Sequence, residues 1–116
     1  MELEITNVGD FKLLKLTGTI DWEKAQELDI ALNELIDKGN LNLVIDLNEV
    51  VFFCSGSLGA LAYCYSIINK SSGKLYLLYS TKYVQNLFET VSFDLIFKGC
   101  IFNSFEDFKE KVIDKM

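Results

Sequence analysis

Length, composition and charge limit what this chain can be. It has 116 residues, half of them hydrophobic, and a formal net charge of −6. This length predicts a single domain over residues 1–116 with one modest core, and the apolar content excludes a disordered chain. Nucleic-acid binding requires a basic surface, so the negative charge and the scattered lysines argue against a nucleic-acid partner.

The inventory of reactive side chains argues against an enzyme. The chain has no histidine, which removes the commonest general base and metal ligand, so we expect no catalytic residue, metal or cofactor. Cys54, Cys64 and Cys100 have no repeating spacing and are expected to be small buried side chains in a reducing compartment. Acidic residues interrupt any apolar run near Met1, so we expect no signal peptide and a cytoplasmic location.

The first third of the chain predicts a β-hairpin followed by a helix. Polar and apolar residues alternate over residues 2–8, which predicts an edge strand, and Gly9-Asp10 predicts a tight turn into a second strand at residues 11–17. Residues 18–21 are expected to form a loop in which Asp21 caps the next helix. Gly39 is expected to end that helix, whose apolar stripe consists of Trp22, Ala25, Leu28, Leu32, Leu35 and Ile36.

The remainder of the chain alternates predicted strands and helices. Further strands are predicted at residues 43–47, 74–79 and 97–102. Further helices are predicted to begin at about Ser57, at Thr81 and at Ser104. The resulting order, β-β-α-β-α-β-α-β-α, predicts an α/β fold: a mixed, mostly parallel sheet with an N-terminal hairpin strand and about four helices.

An uncharged run at residues 50–69 is long enough to be weighed as a membrane span. The run begins with the strand-like sequence Val-Val-Phe-Phe and then contains several serines and glycines, which lower its apolar density. A strand end followed by a helix that is buried against a sheet has the same composition. We therefore expect no membrane insertion.

Three short motifs, in their order and spacing, resemble the STAS family and in particular the bacterial anti-sigma factor antagonists. They are Gly18-Thr19-Ile20-Asp21, then Leu43-Val44-Ile45-Asp46-Leu47 with Val50-Val51-Phe52-Phe53, and finally Leu58-Gly59-Ala60-Leu61. The resemblance covers essentially the whole chain and implies a STAS-like fold. It also implies partner switching, in which the unmodified domain binds an anti-sigma factor, often a serine kinase, and so releases a sigma factor.

The turn between the second and third motifs departs from the family pattern. Family members typically have Asp-Ser-Ser-Gly or Asp-Ser-Thr-Gly there, and the partner kinase phosphorylates the second hydroxyl residue. An ungapped match places Cys54 at the Asp, Ser55 at the first Ser, Gly56 at the acceptor and Ser57 at the Gly. The acceptor position has no hydroxyl, so the phosphorylation candidates are Ser57 and Ser55. Alternatively, Ser57 is an ordinary helix N-cap and Ser55 a turn residue.

The resemblance implies that the partner contacts the loop after Gly18, the turn and the helix that follows it. The implied partner-binding residues are Asp21, Trp22, Cys54, Ser55, Gly56, Ser57 and Leu58. Asp21 could equally serve as a helix cap, and Trp22 could either anchor an interface or cover the core. Asp46, at the end of a predicted strand, is expected to accept hydrogen bonds from backbone N–H groups.

The predicted function is an anti-sigma factor antagonist that is controlled by serine phosphorylation and occurs as a monomer or weak dimer. An alternative of a different kind is a scaffold or regulatory subunit, without a phosphoswitch, of a signalling or transporter-associated assembly. Gly56 at the acceptor position keeps this alternative open. A third alternative, an enzyme with a serine nucleophile, lacks both a histidine base and the nucleophile-elbow pattern.

Overall fold

Five strands form one sheet in the computed structural model, which describes residues 2–115. The strands lie side by side in chain order: β1 (Glu2–Val8), β2 (Phe11–Ile20), β3 (Asn42–Phe53), β4 (Lys74–Leu78) and β5 (Ile101–Phe102). β1 pairs antiparallel with β2, and each later strand pairs parallel with the one before it. The predicted mixed, mostly parallel sheet with an N-terminal hairpin is confirmed.

The helices connect the parallel strands. They are α1 (Trp22–Asp37), α2 (Ser55–Lys70), α3 (Lys82–Thr90), α4 (Phe93–Ile96) and α5 (Phe105–Phe108), which continues as a π-helical turn at Lys109–Ile113. The predicted N-caps Asp21 and Ser104 are confirmed, because each side chain accepts a backbone N–H bond of 3.1 Å. Thr81, predicted as the start of a helix, is also an N-cap, and its side chain accepts a backbone N–H bond of 3.4 Å. Residues 2–115 contain five helices rather than about four, since the sequence did not predict α4.

Successive residues of β3 point to opposite faces of the sheet and so divide the core in two. Leu43 and Ile45 join the larger cluster, which includes apolar residues of α1, α2 and α3. Val44 joins a smaller cluster with Phe11, Leu78 and Phe108. The Phe108 ring lies between 5.3 and 5.8 Å from the rings of Phe11, Tyr76 and Phe102, so α5 covers this second face.

Three strands differ from their predicted bounds by more than one residue. β3, predicted at residues 43–47, extends from Asn42 to Phe53. Residues 18–20, predicted as a loop, belong to β2, because Gly18, Thr19 and Ile20 pair with the last residues of β3. The predicted strand at residues 97–102 is only Ile101–Phe102. Phe97 is fully buried in the larger cluster instead, immediately after α4. Pairing with distant residues decides these three differences, and local sequence does not contain that information.

The uncharged run at residues 50–69 is divided between β3 and α2, as expected. Among residues 2–115, no helix has both the length and the apolar composition needed to cross a membrane.

Candidate functional site

A single residue, Cys54, separates the end of β3 from the first residue of α2. Its carbonyl accepts hydrogen bonds from the backbone N–H groups of Ser57 and Leu58, at 3.1 and 3.3 Å. Cys54 is therefore the N-cap of α2, although its side chain forms no capping bond. The helix begins two residues earlier than predicted, and the interpretation of Ser57 as the N-cap is wrong.

Hydrogen bonds from two neighbouring elements fix the backbone just before α2. The Cys54 N–H donates to the carbonyl of Ile20 at 3.1 Å, which joins the end of β2 to this turn. β4 pairs with β3 only as far as Asp46, so the later residues of β3 lack a strand partner on that side. There the Phe53 N–H donates to the Tyr83 hydroxyl of α3 at 2.9 Å. The turn is thus held from both sides.

The two candidate serines occupy opposite environments. Ser55 is the exposed first residue of α2. Ser57 is completely buried, and its Oγ lies 3.5 Å from the Cys54 Sγ. Leu58 is only 8% exposed and belongs to the core. Of the residues predicted at this turn, Cys54, Ser55 and Gly56 reach the surface, whereas Ser57 and Leu58 do not.

Trp22 and Asp21 lie beside the turn, because the Ile20–Cys54 hydrogen bond brings the N-termini of α1 and α2 together. Trp22 is 66% exposed, so it does not cover the core. Its ring instead packs on Gly56, where an added β-carbon would lie 3.2 Å from Cζ3 of the indole. The structure therefore places Asp21, Trp22, Cys54, Ser55 and Gly56 on one edge of the domain.

The three free cysteines differ in their acidity. Partial burial raises the pKa of Cys54, but hydrogen bonds from the Ser57 hydroxyl and the backbone N–H groups of the turn outweigh it, and the pKa lies below 9.0. Burial, aided by the negative charge of Asp29, raises the pKa of Cys64 to about 12. Burial also raises the pKa of Cys100. Cys64 is a small core side chain, as expected, whereas Cys54 and Cys100 are partly exposed, contrary to the prediction.

Asn48 connects three segments at the carboxyl ends of the strands. Its Oδ1 accepts from the Ser80 N–H at 2.8 Å and from the Ser80 hydroxyl at 3.1 Å. Its Nδ2 donates to the carbonyl of Asn103 at 3.1 Å. The Asn48 N–H donates to the Asp46 carboxylate at 3.0 Å, so Asp46 accepts a backbone hydrogen bond as expected. These bonds hold the segments that follow β4 and β5 against β3.

A surface groove that the sequence did not predict runs between α1 and α2. We call it the α1–α2 groove; its volume is about 400 Å³. It begins at the Trp22–Gly56 contact and extends away from the turn. Its lining residues are Trp22, Ala25, Gln26, Asp29 and Ile30 of α1 with Gly56, Gly59, Ala60 and Tyr63 of α2. The signal in the sequence was Ile30 and Tyr63, two large apolar residues that lie outside the apolar stripes of their helices.

Residues 2–108 match the STAS domain family. The chain belongs to the STAS family. An anti-sigma factor antagonist from Mycobacterium paratuberculosis is similar in structure, with a TM-score of 0.84, 22% identity and coverage of 97% of this chain and 94% of that chain. These values show a shared fold for this STAS chain.

The anti-sigma factor antagonist SpoIIAA is similar in both of its forms. Its unphosphorylated form aligns with a TM-score of 0.75 and 16% identity, covering 98% of this chain and 96% of that chain. The phosphorylated form of the Bacillus protein aligns with a TM-score of 0.76 and 15% identity, covering 98% of each chain. The predicted family and fold are therefore confirmed.

Proposed function

We propose that this STAS domain is an anti-sigma factor antagonist that acts in the bacterial cytoplasm, binds an anti-sigma factor and so releases a sigma factor. The observation that carries the proposal is the exposed Trp22 ring, which lies on Gly56 beside the exposed Ser55. STAS antagonists have their partner-responsive turn at this point of the fold. The chain contributes a binding surface, and the ATP and catalytic groups belong to the partner.

Trp22 is suited to anchor such an interface. Tryptophan residues near the centre of an interface contribute a large part of the binding free energy. Trp22 exposes two thirds of its surface, and the hydrogen-bonded N-termini of α1 and α2 support it. Asp21 and Cys54 flank it, and an interface of up to about 1,600 Å² centred here would cover the whole turn.

Phosphorylation of Ser55 is the proposed control. A phosphate there would gain from the positive end of the α2 dipole, so the domain could hold it without unfolding. It would add about −1.5 to −2 charges beside Asp21 and within contact range of any partner that covers Trp22. The added charge would disrupt an apolar contact and repel acidic groups of the partner. Ser57 is the weaker candidate, because its hydroxyl is completely buried.

The second candidate function is a constitutive adaptor that binds its partner without a phosphoswitch. One observation favours it specifically: the family acceptor position is Gly56, and the Trp22 ring lies directly against it. In this case the same surface binds the partner, but no phosphorylation of this chain dissociates the complex.

The test uses anti-sigma factors of the source organism, each purified and titrated into the full chain by calorimetry, with ATP absent and present. Phosphorylated residues are mapped by mass spectrometry, and sigma release is measured by transcription in vitro. We expect one anti-sigma factor to bind, Trp22→Ala to weaken binding by at least tenfold, and Ser55→Ala to abolish phosphorylation. Ser66→Ala, an exposed serine farther along α2, is the matched control.

The outcomes separate the two candidates. Loss of binding on addition of ATP, with phosphate on Ser55, supports the switch. Binding that ATP does not alter, with no phosphoserine, supports the constitutive adaptor. Failure of every anti-sigma factor to bind would overturn both.

A further inference from the structure

The α1–α2 groove has the dimensions of a two-turn helix site. Trp22 and Ile30 mark its ends on α1 and are eight residues apart, a rise of about 12 Å. Gly56 and Tyr63 mark its ends on α2, a rise of about 10 Å. Two turns of a bound helix span about 11 Å and present side chains at positions i, i+3 or i+4, and i+7 to such a groove.

The floor of the groove admits close approach of another backbone. Gly59 is exposed, and a β-carbon added to it would meet no heavy atom within 4 Å. Ala25 and Ala60 contribute only methyl groups. Three large apolar side chains stand around this floor and are more than half exposed: Trp22 at 66%, Ile30 at 58% and Tyr63 at 58%. The spaces between them can receive apolar side chains of a ligand.

The two walls differ in charge, and this difference specifies the occupant. Residues 21–38, which contain α1, have six carboxylates and two lysines. One of these lysines, Lys24, pairs with Glu27 at 3.5 Å. Asp29 lines the groove itself. The opposite wall, α2, has no charged residue before Lys70. A helix with lysine or arginine on one flank and apolar residues on its buried face would complement both walls.

We propose that the α1–α2 groove binds a basic amphipathic helix of a protein partner, with the basic flank against α1 and the apolar face over Gly59. The inference deepens the proposed function and rests on it only for the identity of that partner. It places the bound helix directly after the Trp22–Gly56 contact, so a partner that covers the turn would continue along the groove.

The probe is a synthetic peptide of about 18 residues without tryptophan, with leucines at i, i+4 and i+7 and arginines on one flank. Trp22 is the only tryptophan of the chain, so its fluorescence reports docking without a label. We expect a blue shift on titration, binding that weakens as salt increases, and about tenfold weaker binding of a peptide with glutamate in place of arginine.

Two variants of the full chain test the floor of the groove and its acidic wall. Gly59→Leu places a side chain in the groove, its β-carbon meets no heavy atom within 4 Å, and it replaces a helical glycine, so we expect a folded domain with at least tenfold weaker peptide binding. Asp29→Lys should weaken binding about tenfold through charge. Its matched control, Glu34→Lys, makes the same charge change at an exposed residue of α1 outside the groove lining and should alter binding less than twofold.

The outcomes also separate this inference from the proposed function. Peptide binding that Gly59→Leu abolishes supports the groove, even if no anti-sigma factor binds the chain. An anti-sigma factor that binds Gly59→Leu as tightly as the natural chain, with no response to the peptide, overturns the groove and leaves the proposed function standing. Equal binding of the arginine and glutamate peptides overturns the charge argument. Self-association of the free chain that Gly59→Leu disperses assigns the groove to a second copy and overturns the proposal.

Discussion

The indole ring of Trp22 lies against the α-carbon of Gly56, so that a methyl group at residue 56 would stand 3.2 Å from Cζ3 and 3.3 Å from Cε3 of the ring. This contact joins the first residue of α1 to the second residue of α2. Gly56 stands at the position where the family motif has its phosphoacceptor, and Trp22 is the side chain that packs on it. Any residue larger than glycine at position 56 requires the indole to move, and Trp22 is exposed enough to do so.

Gly56→Ala should therefore change the environment of Trp22 without unfolding the domain. The ring has to move by a few tenths of an ångström, and replacement of a helical glycine contributes up to about 1 kcal/mol of stability. We expect an unchanged or slightly raised Tm and an altered tryptophan emission maximum. Gly59→Ala is the control. It also replaces a glycine of α2 and so stabilises the helix, but its methyl group makes no contact with Trp22. A loss of more than about 1 kcal/mol in Gly56→Ala would mean that the indole is rigidly held.

Tyr83→Phe should destabilise the end of β3. The Tyr83 hydroxyl accepts the Phe53 N–H, and β3 has no strand partner there on the β4 side. Its removal leaves a partly buried N–H unpaired, at a cost of about 1–2 kcal/mol in the free energy of unfolding. Denaturant titration measures the loss, and hydrogen exchange of the Phe53 amide should become faster. Tyr63→Phe, at a tyrosine that is 58% exposed, should change neither. Unchanged exchange at Phe53 in Tyr83→Phe would contradict the prediction.

Asn48→Ala should loosen the segments after β4 and β5. The substitution removes the bonds to Ser80 and to the Asn103 carbonyl, and we expect a loss of about 1–2 kcal/mol by thermal or denaturant unfolding. Asn48→Asp keeps an acceptor for Ser80 but loses the donor to Asn103, so it should fall between Asn48→Ala and the natural chain. The control is Asn86→Ala, at an exposed residue of α3. Equal stability of both Asn48 variants and the natural chain would show that this network contributes nothing.

Features that depend on local chemistry were predictable from the sequence. Asp21, Thr81 and Ser104 are short polar residues directly before apolar periodic segments, and each caps a helix. The turn at Gly9-Asp10 and the alternation of strands and helices along the chain also follow from local patterns. Trp22 lies beside the turn, as its place at the start of α1 suggested, because the Ile20–Cys54 bond brings the two helix N-termini together.

Features that depend on distant pairing were not predictable. β2 continues to Ile20 only because β3 continues to Phe53 beside it. Ser57 is buried because α2 begins at Ser55, with the weak capper Cys54 before it, and this start turns the third helical residue toward the core. The α1–α2 groove needs two helices separated by a strand, so no single segment indicates it.

The acidity of Cys54 provides the last test, because it reports on the buried Ser57. Hydrogen bonds from the Ser57 hydroxyl and the backbone N–H groups of the turn lower the pKa of Cys54 below 9.0, despite partial burial. A lowered pKa increases the thiolate fraction at any given pH, and the thiolate is the form that reacts with iodoacetamide. We expect the alkylation rate at Cys54, followed by peptide mass spectrometry, to reach half its maximum at a lower pH in the folded protein than in the unfolded chain.

Ser57→Ala should shift that midpoint to higher pH, since it removes one of the groups that stabilise the thiolate. Cys64 should stay unmodified in the folded protein, because it is buried and its pKa is raised to about 12. Cys100, whose pKa burial raises, should react only at higher pH than Cys54. Ser66→Ala is the control and should leave the Cys54 profile unchanged. An identical midpoint in Ser57→Ala and the natural chain would show that the 3.5 Å contact between Ser57 Oγ and Cys54 Sγ does not stabilise the thiolate.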